Sequence, residues 1–229
     1  EVCPKFKSNG KESEAATEGT LLHEMLEQIV QLPESNWDNW IETRQLSETN
    51  KGFLQEATQQ IRMLDPLGKL KVVPGYVIEL TDTDIEDGMY PECQVQIARG
   101  RRGFIDLLIV SHGIATVVDY KSVRAEHDYT LQLGSYCLAL SRLTKNLTVF
   151  EAKVIAPRLQ ESPAPIIFGE EELEVLAKRI DTIEERAEDP SVPPNPCEYC
   201  AYCRWNGRCK KQAESVKELG PVDTSVSRV

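Results

Sequence analysis

The stretch RGFIDLLIVSHGIATVVDYK, residues 102–121, decides the fold, because it consists of two apolar runs joined across Ser-His-Gly. Residues 104–110 and 114–118 are rich in Ile, Leu and Val, which predicts two buried strands. Between them, His112-Gly113 has the length of a two-residue hairpin turn, in which glycine accepts a positive φ. The stretch therefore predicts an antiparallel hairpin at the centre of a sheet.

The register of this hairpin places two carboxylates opposite each other. A two-residue turn pairs Ser111 with Ile114. Continued outward, the same register brings Asp106 opposite Asp119, and opposed side chains lie on one face with Cβ atoms about 4.5–5.5 Å apart. Lys121, two residues after Asp119, projects from that face. Because paired carboxylates repel each other unless a cation lies between them, the hairpin predicts a divalent metal site with an ammonium group at its edge.

Length and composition describe an ordinary globular chain. The 229 residues are enough for one well-buried domain with a small appendage, and 41% of them are hydrophobic. There is no apolar run of about 20 residues and no secretory signal is visible, so we expect a cytoplasmic protein. The net charge of −11 argues against a protein that coats nucleic acid non-specifically. It is compatible with an enzyme whose metal ions supply positive charge locally.

The remaining periodicities predict one α/β domain, with a mixed central β-sheet flanked by helices. Helices are predicted over residues 20–32, 52–64, 128–143 and 169–188, and further strands over residues 71–80, 92–98 and 147–156. Thr20 is the expected cap of the first helix. Glu79 ends an apolar run and is either a carboxylate near the hairpin or an exposed strand end. The predicted divisions are a core of residues 1–189, a cysteine-rich segment of residues 190–212 and a polar tail of residues 213–229.

The seven cysteines fall into three groups. Cys93 and Cys137 lie in apolar segments, where we expect inert core residues. Four others crowd into thirteen residues near the C-terminus: Cys197, Cys200, Cys203 and Cys209. Cys3 stands alone near the N-terminus. With no secretory signal, this clustering favours metal or iron–sulfur ligation over a disulfide framework.

Four short motifs occur in an order that resembles the PD-(D/E)XK nuclease superfamily. They are Gly19-Thr-Leu-Leu-His23, Gly103-Phe-Ile-Asp106, Asp119-Tyr-Lys121 and Gln132-x-x-x-Tyr136. Each motif is weak alone, but four in this order, each on the expected type of element, make a specific signal. The resemblance is closest to the RecB-type branch, whose upstream helix carries a histidine. The second acid is aspartate here, whereas many members have glutamate.

The resemblance implies a fold, an activity and a set of site residues. It implies a metal-dependent DNA nuclease, with exonuclease action on single-stranded or end-containing DNA. The implied ligands of Mg²⁺ or Mn²⁺ are His23, Asp106, Asp119 and the backbone carbonyl of Tyr120. Lys121 would act with the two aspartates in catalysis, orienting the attacking water or stabilising the transition state. Gln132 and Tyr136 would position the scissile strand.

The cysteine spacing resembles that of AddB-type and CRISPR-associated RecB-like exonucleases. There the resemblance implies a [4Fe-4S] cluster held by Cys3, Cys200, Cys203 and Cys209, which would clip the two ends of the chain together. The alternative is a local zinc site of Cys197, Cys200, Cys203 and Cys209.

Two other functions stay open from the sequence. The first is a non-catalytic DNA-binding or assembly subunit, which the charge of −11 favours because such a chain needs a protein partner or a second copy to hold DNA. The second is an electron-transfer or redox-sensing protein in which the acidic hairpin is incidental.

Overall fold

The computed structural model describes residues 14–98, 101–123, 128–161 and 163–189, without the side chains of residues 14–16, 98, 101, 187 and 188. The backbone contacts divide the chain into two compact units. One unit comprises residues 18–177 and contains the whole sheet. The described residues of the other unit are 14–17 and 178–189.

The described residues form five helices and six strands. The helices are α1 (Glu14–Val30), α2 (Trp37–Thr43), α3 (Glu48–Arg62), α4 (Thr130–Leu143) and α5 (Glu170–Glu188), with a 3-10 turn at Glu34–Asn36. The strands are β1 (Val77–Ile78), β2 (Gly88–Ala98), β3 (Arg101–Ser111), β4 (Ile114–Tyr120), β5 (Val149–Ile155) and β6 (Ile166–Phe168). The strands lie in one sheet in chain order. β1 is parallel to β2 and β4 is parallel to β5, while the other neighbours are antiparallel. This confirms the predicted mixed sheet with flanking helices.

The β3–β4 hairpin has the predicted turn and the predicted register. Positive φ values of 52° at His112 and 80° at Gly113 are those of a type I′ turn, which matches the twist of the strands it joins. The ladder continues from the pair next to the turn as far as Leu107, which pairs with Val118. Regular pairing ends there, one position before Asp106. The prediction that the two aspartates form the next ladder pair is therefore wrong in its detail, although the strands deliver them to one site.

Both faces of the central strand β4 are covered. Val118 and Tyr120 belong to a buried cluster with side chains of α1, α2 and α3. Val117 is also fully buried, and since successive strand residues alternate between faces, the opposite face is covered as well. Helix α4 contacts β4 and β5 and buries Leu133 and Cys137. The site described below lies at the end of β4, where these two layers meet the sheet.

Several element boundaries differ from the sequence expectations. Helix α1 begins at Glu14, so Thr20 is an interior residue and the expected cap is wrong; the preceding Glu and Ala residues are good helix formers. The predicted strand over residues 71–80 shrinks to Val77–Ile78 and one bridge at Val72, because Pro74-Gly75 turns the chain with a φ of 67° at Gly75. The short strand β6 was not predicted. No described helix is both long enough and apolar enough to cross a membrane.

Candidate active site

Four elements bring the predicted site residues together. Helix α1 supplies His23, strand β3 supplies Asp106, and the end of β4 supplies Asp119 and Tyr120, which Lys121 follows. Helix α4 supplies Gln132 and Tyr136 from successive turns of one face. The site thus combines one hairpin with two helices that are about 100 residues apart in the chain.

Asp106 is held by a side chain of α1 and by the backbone of β4. The Nδ1 atom of His23 lies 3.5 Å from Asp106 Oδ2. The backbone N–H of Tyr120 donates to the same oxygen at 2.7 Å. This hydrogen bond replaces the ladder bond that a regular strand pair would make, which explains why pairing stops before the aspartates. His23 also lies edge-on to the Tyr120 ring, with ring centroids 5.8 Å apart.

Asp119 is 4% exposed and is bound by two donors. The Lys121 ammonium donates to Oδ1 at 2.9 Å, and Gln132 Nε2 donates to the same oxygen at 3.2 Å. Lys121 Nζ is also 2.7 Å from Oδ2, but the angle is not that of a hydrogen bond. Oδ2 therefore has no hydrogen-bond partner among the described residues. A cation that binds this buried carboxylate would therefore take the place of the Lys121 ammonium at Oδ2.

The polar face of α4 turns towards the carboxylates rather than towards water. Gln132 bonds Asp119, as above, and its side-chain hydrogen bond to Tyr136 lowers the pKa of that phenol. Burial outweighs this hydrogen bond and raises the pKa of Tyr136 overall. Gln132 is therefore the link between the buried acid and the tyrosine.

The electrostatics of the aspartate pair favour a bound cation. Burial is the largest cause that raises the pKa of Asp106, and the charge of Asp119 raises it further, against the opposing effects of His23, the Tyr120 N–H and Lys121. Burial likewise raises the pKa of Asp119, although Lys121, His23 and Gln132 lower it. In the free protein the charged form of each carboxyl group is thus disfavoured by burial, and the neighbouring groups do not fully offset this effect.

The donor set fits a hard divalent ion. Two carboxylates and one imidazole suit Mn²⁺, and carboxylate with carbonyl oxygen suits Mg²⁺. Within the described ranges, however, no three His, Cys, Asp or Glu side chains are already arranged around a metal position. Instead, His23 pairs with Asp106 and Lys121 pairs with Asp119. The ligand roles of His23, Asp106, Asp119 and the Tyr120 carbonyl stay predictions.

A third carboxylate, Glu92, was missed by the sequence analysis. Its neighbours Pro91 and Cys93 pair with Leu107 and Ile105, so Glu92 faces Asp106 across the β2–β3 ladder. Its φ of 49° is left-handed, a strained conformation for a glutamate. Burial raises the pKa of this carboxyl group to about 7, with further contributions from the charges of Asp106 and Glu27. Proline within a strand, directly before Glu92, is the signal that marks the irregularity.

Glu79, the other carboxylate considered from the sequence, lies near the hairpin, where it contacts strand β3. Its Oε1 atom forms a 2.7 Å ion pair with Arg102 Nη2. The residue is 39% exposed, as expected for a strand-end side chain.

The glycines of two motifs allow close approaches within the site. A Cβ on Gly103 would lie 2.6 Å from Cε1 of Tyr136 and 2.5 Å from Cδ1 of Ile97. A Cβ on Gly19 would lie 2.9 Å from Oγ of Ser122, the residue after Lys121. Absence of a side chain therefore lets the tyrosine ring lie on β3 and lets α1 approach the end of β4.

Arg158 joins three of the surrounding segments, and nothing in the sequence pointed to it. Its guanidinium donates to both carboxylate oxygens of Glu18 on α1, at 3.0 and 3.2 Å. It also donates to Asn50 on α3 at 3.2 Å and to the carbonyl of Ser122 at 3.4 Å. The Phe53 ring lies 5.6 Å from the guanidinium carbon. Arg158 thereby fixes the start of the His23 helix against the segment that follows β4.

The cysteine predictions divide between described and undescribed residues. Cys93 and Cys137 are buried free thiols, and burial raises the pKa of each to about 12, as expected of inert core residues. The proposed cluster ligands all lie outside the described residues: Cys3, Cys197, Cys200, Cys203 and Cys209. So do the predicted cysteine-rich segment and the polar tail.

Comparisons with known proteins place this site in a family. No curated protein matches the chain. A solved structure entitled "Crystal structure of SSO0001" is 14% identical over 83% of this chain and 85% of that one, with a TM-score of 0.34, too low to support an argument. The family model described as the PD-(D/E)XK nuclease superfamily matches residues 4–210, nine-tenths of the chain and all four motifs. The chain belongs to the PD-(D/E)XK nuclease superfamily.

Proposed function

We propose that this protein is a Mg²⁺- or Mn²⁺-dependent DNA nuclease, and that it acts as an exonuclease on single-stranded or end-containing DNA. The observation that carries the proposal is the buried Asp119, whose carboxylate lies 2.7 and 2.9 Å from the Lys121 ammonium and accepts a hydrogen bond from Gln132. Asp106 and His23 lie beside it. Membership of the superfamily supports the reaction class, and the two motif aspartates and the lysine are all present.

Each residue of the candidate site would have its own role in phosphodiester hydrolysis. His23, Asp106, Asp119 and the Tyr120 carbonyl would hold the ion, which supplies a polarised phosphoryl oxygen and a water of lowered pKa. The Lys121 ammonium, 20% exposed at the rim of the site, can reach the attacking water or a phosphoryl oxygen and offset developing negative charge. The Gln132 amide holds the Asp119 carboxylate in its orientation through a hydrogen bond. The Tyr136 ring lies against Gly103 of β3, beside the site.

The direct test is cleavage of end-labelled single-stranded DNA in Mg²⁺ or Mn²⁺. Asp119→Ala and Lys121→Ala are expected to lower kcat at least about 100-fold, since each removes charge stabilisation at the reacting centre. Lys145→Ala is the matched control, because Lys145 forms a 3.2 Å ion pair with Asp84 away from the site. Equal cleavage by all four proteins would refute the assignment of these residues.

The requirement for a DNA end is tested separately. A linear single strand is expected to be degraded progressively, while a covalently closed circle of the same sequence stays intact. Cleavage of the circle at a comparable rate would show endonuclease action and remove the exonuclease part of the proposal.

The cysteine cofactor is a further part of the proposal. The spacing of Cys200, Cys203 and Cys209 together with Cys3 supports a [4Fe-4S] cluster, and zinc at Cys197 and the other three C-terminal cysteines is the alternative. Protein purified without oxygen is expected to contain iron and sulfide and to absorb visible light. Cys3→Ser should lose the cluster and Cys197→Ser should keep it. Zinc in place of iron, with the opposite response of the two variants, would establish the alternative.

A second candidate is a DNA-binding or assembly subunit without catalytic activity. The net charge of −11 favours it, because a protein partner or a second copy of the chain would then supply the positive surface that DNA needs. DNA binding that is unchanged in Asp119→Ala, with no cleavage by the wild-type protein in either metal, would establish this function instead.

A further inference from the structure

Strands β1, β2 and β3 expose one face to solvent, in two rows of side chains. Val77, Gln94 and Phe104 occupy paired positions on the three strands and form the first row. Gln96 pairs with Arg102 in the second row, which Glu79 extends beyond β1. The alternate residues are buried, so these six side chains share the opposite, outward face, here called the outer face.

The outer face carries side chains of the types that bind nucleobases. Phe104 is 56% exposed and is the aromatic ring of the outer face, so its flat side is accessible to a ligand. Arg102, on the same face, forms a 2.7 Å ion pair with Glu79. With the side-chain oxygen of Gln94 turned towards Arg102, this oxygen accepts two hydrogen bonds from the guanidinium, at 3.1 and 3.3 Å. Aromatic rings stack on nucleobases, and arginine and glutamine side chains hydrogen-bond them.

The outer face is continuous in the chain with the candidate active site. Phe104 is two residues before Asp106, and Gln94 is two residues after Glu92, which faces Asp106. Two strand residues span roughly 6.7 Å, about the rise of two stacked nucleotides. A single strand lying on the outer face therefore reaches the aspartates within about two nucleotides.

We propose that the outer face binds single-stranded DNA, with one base stacked on Phe104, and leads the strand to Asp106. The statement that the bound strand leads to Asp106 rests on the proposed nuclease function. The inference also specifies that the substrate of this function is single-stranded DNA. Duplex DNA does not fit this mode of binding, because its base faces are stacked on one another and only a splayed single strand presents them.

The test distinguishes binding that needs the aromatic ring of Phe104 from binding that needs only an apolar side chain at this position. Phe104→Leu removes the ring, and Phe104→Tyr keeps it. Ile167→Ala is the control, because Ile167 is 68% exposed on β6 at the other edge of the sheet. Binding of a fluorescent oligothymidylate of about 20 nucleotides is measured in EDTA. Phe104→Leu is expected to raise the Kd about 5-fold or more, the loss of one stacked base, while the other two variants stay within about 2-fold of wild type.

A cleavage measurement completes the design. Phe104→Leu should raise KM for the oligonucleotide because one stacked base is lost, whereas Ile167→Ala should leave this KM within about 2-fold of wild type. Equal Kd values for wild type and Phe104→Leu, equal weakening by Phe104→Leu and Ile167→Ala, or no binding by wild type would each overturn the inference. Binding that depends on the ring without any cleavage would uphold it and refute the proposed function alone.

Discussion

Asp119 depends on Lys121 whenever no metal ion is bound. A carboxylate that is 4% exposed needs a counter-charge, and the ammonium at 2.7–2.9 Å provides it. A divalent ion at the same carboxylate would do the same and would release Lys121 to act on substrate. The lysine thus has a structural role in the free protein besides its proposed catalytic one.

Replacing Lys121 by methionine should therefore destabilise the metal-free protein. The expected loss is about 2 kcal/mol, below the roughly 3–5 kcal/mol of a fully buried pair, because Lys121 is partly exposed. Added Mn²⁺ should restore most of the loss, since the ion replaces the missing positive charge. Denaturant unfolding with and without Mn²⁺ measures both effects, and Lys145→Met is the control. A loss that Mn²⁺ leaves unchanged would contradict this role.

Glu92 makes stability depend on pH in a predictable direction. Its pKa is about 7 in the folded chain against 4.5 for the ordinary group, so the folded state binds more protons between these values. Without metal, this residue should lower the stability as the pH rises from about 4.5 to 7, and the loss should be complete above pH 7. Glu92→Gln removes this contribution. The variant should be more stable than wild type at pH 8, with little difference at pH 4.5, in thermal melts run in EDTA.

The neighbours of Asp119 were predictable from the sequence, whereas Glu92 was not. Lys121 follows Asp119 by two positions in an extended stretch that continues just past β4, so alternation alone brings the two side chains together. Glu92 reaches Asp106 only through the β2–β3 register and a left-handed backbone, neither of which shows in local composition. Sequence reasoning therefore succeeded where the contact was local and failed where it depended on distant pairing.

The same distinction holds for whole elements. The β3–β4 hairpin was predicted with its turn, and α4, α5 and β5 were predicted to within two residues at each end, because each has a strong local pattern. Strands β1 and β6 have two and three residues, too few for a periodicity. Each is set by pairing with a longer neighbouring strand rather than by its own sequence.

Arg158 links elements, so its substitution should affect the site without removing any proposed site residue. Arg158→Lys keeps the charge but loses the paired hydrogen bonds to Glu18 and the bond to the Ser122 carbonyl. The expected result is a kcat lowered about 10-fold with a small change in KM, because His23 and Lys121 move relative to each other. Weaker Mn²⁺ binding, followed by electron paramagnetic resonance, should accompany it.

Arg62→Lys is the matched control for this prediction. Arg62 also lies over an aromatic ring, Trp37 at 5.3 Å, and it also forms carboxylate ion pairs, in its case with two residues, Glu34 at 3.3 Å and Asp38 at 3.1 Å. Its partners belong to the 3-10 turn and α2 rather than to the site. Equal losses of activity in the two variants would show that Arg158 contributes only to general stability.

Two glycine-to-alanine substitutions should have opposite effects. Gly103→Ala forces the Tyr136 ring away from β3, so activity should fall and the melting temperature should decrease. Gly52→Ala, inside α3 with nothing within 4 Å of the new methyl group, should raise stability by about 0.5–1 kcal/mol. Scanning calorimetry and the DNA cleavage assay distinguish the two. An active, stabilised Gly103→Ala protein would contradict the contact.

For the whole molecule, metal binding should be linked to both protons and folding. Because burial raises the pKa values of Asp106 and Asp119, an ion that binds their charged forms competes with protons. The increase in melting temperature caused by Mn²⁺ should therefore become larger as the pH rises through the range in which the two carboxyl groups lose their protons. The increase should grow with the logarithm of metal concentration above the Kd, and Asp119→Ala should abolish it. A pH-independent increase, or one that persists in Asp119→Ala, would point to binding elsewhere.

The family could be predicted from the sequence because each of its motifs occurs on a particular type of secondary-structure element. This holds even though the motifs lie far apart in the chain. His23 and Tyr136 are separated by more than 100 residues, yet each lies on a helix as expected. The sequence could not show that Arg158 and Glu92 complete the arrangement. Their contacts depend on where α1 lies against the end of β4 and on a kink in β2.

The two-residue turn at His112-Gly113 has a consequence for the order of folding. A hairpin closed by so short a loop forms within about 1–10 μs, whereas the parallel pairing of β4 with β5 must wait for α4 and its connections. Asp106 and Asp119 therefore come together early, before α1 can bring His23 and α4 can bring Gln132. The repulsion between their negative charges then disfavours closure of the hairpin. Protonation of an aspartate, or a divalent ion bound between the two, should therefore accelerate refolding of the metal-free chain.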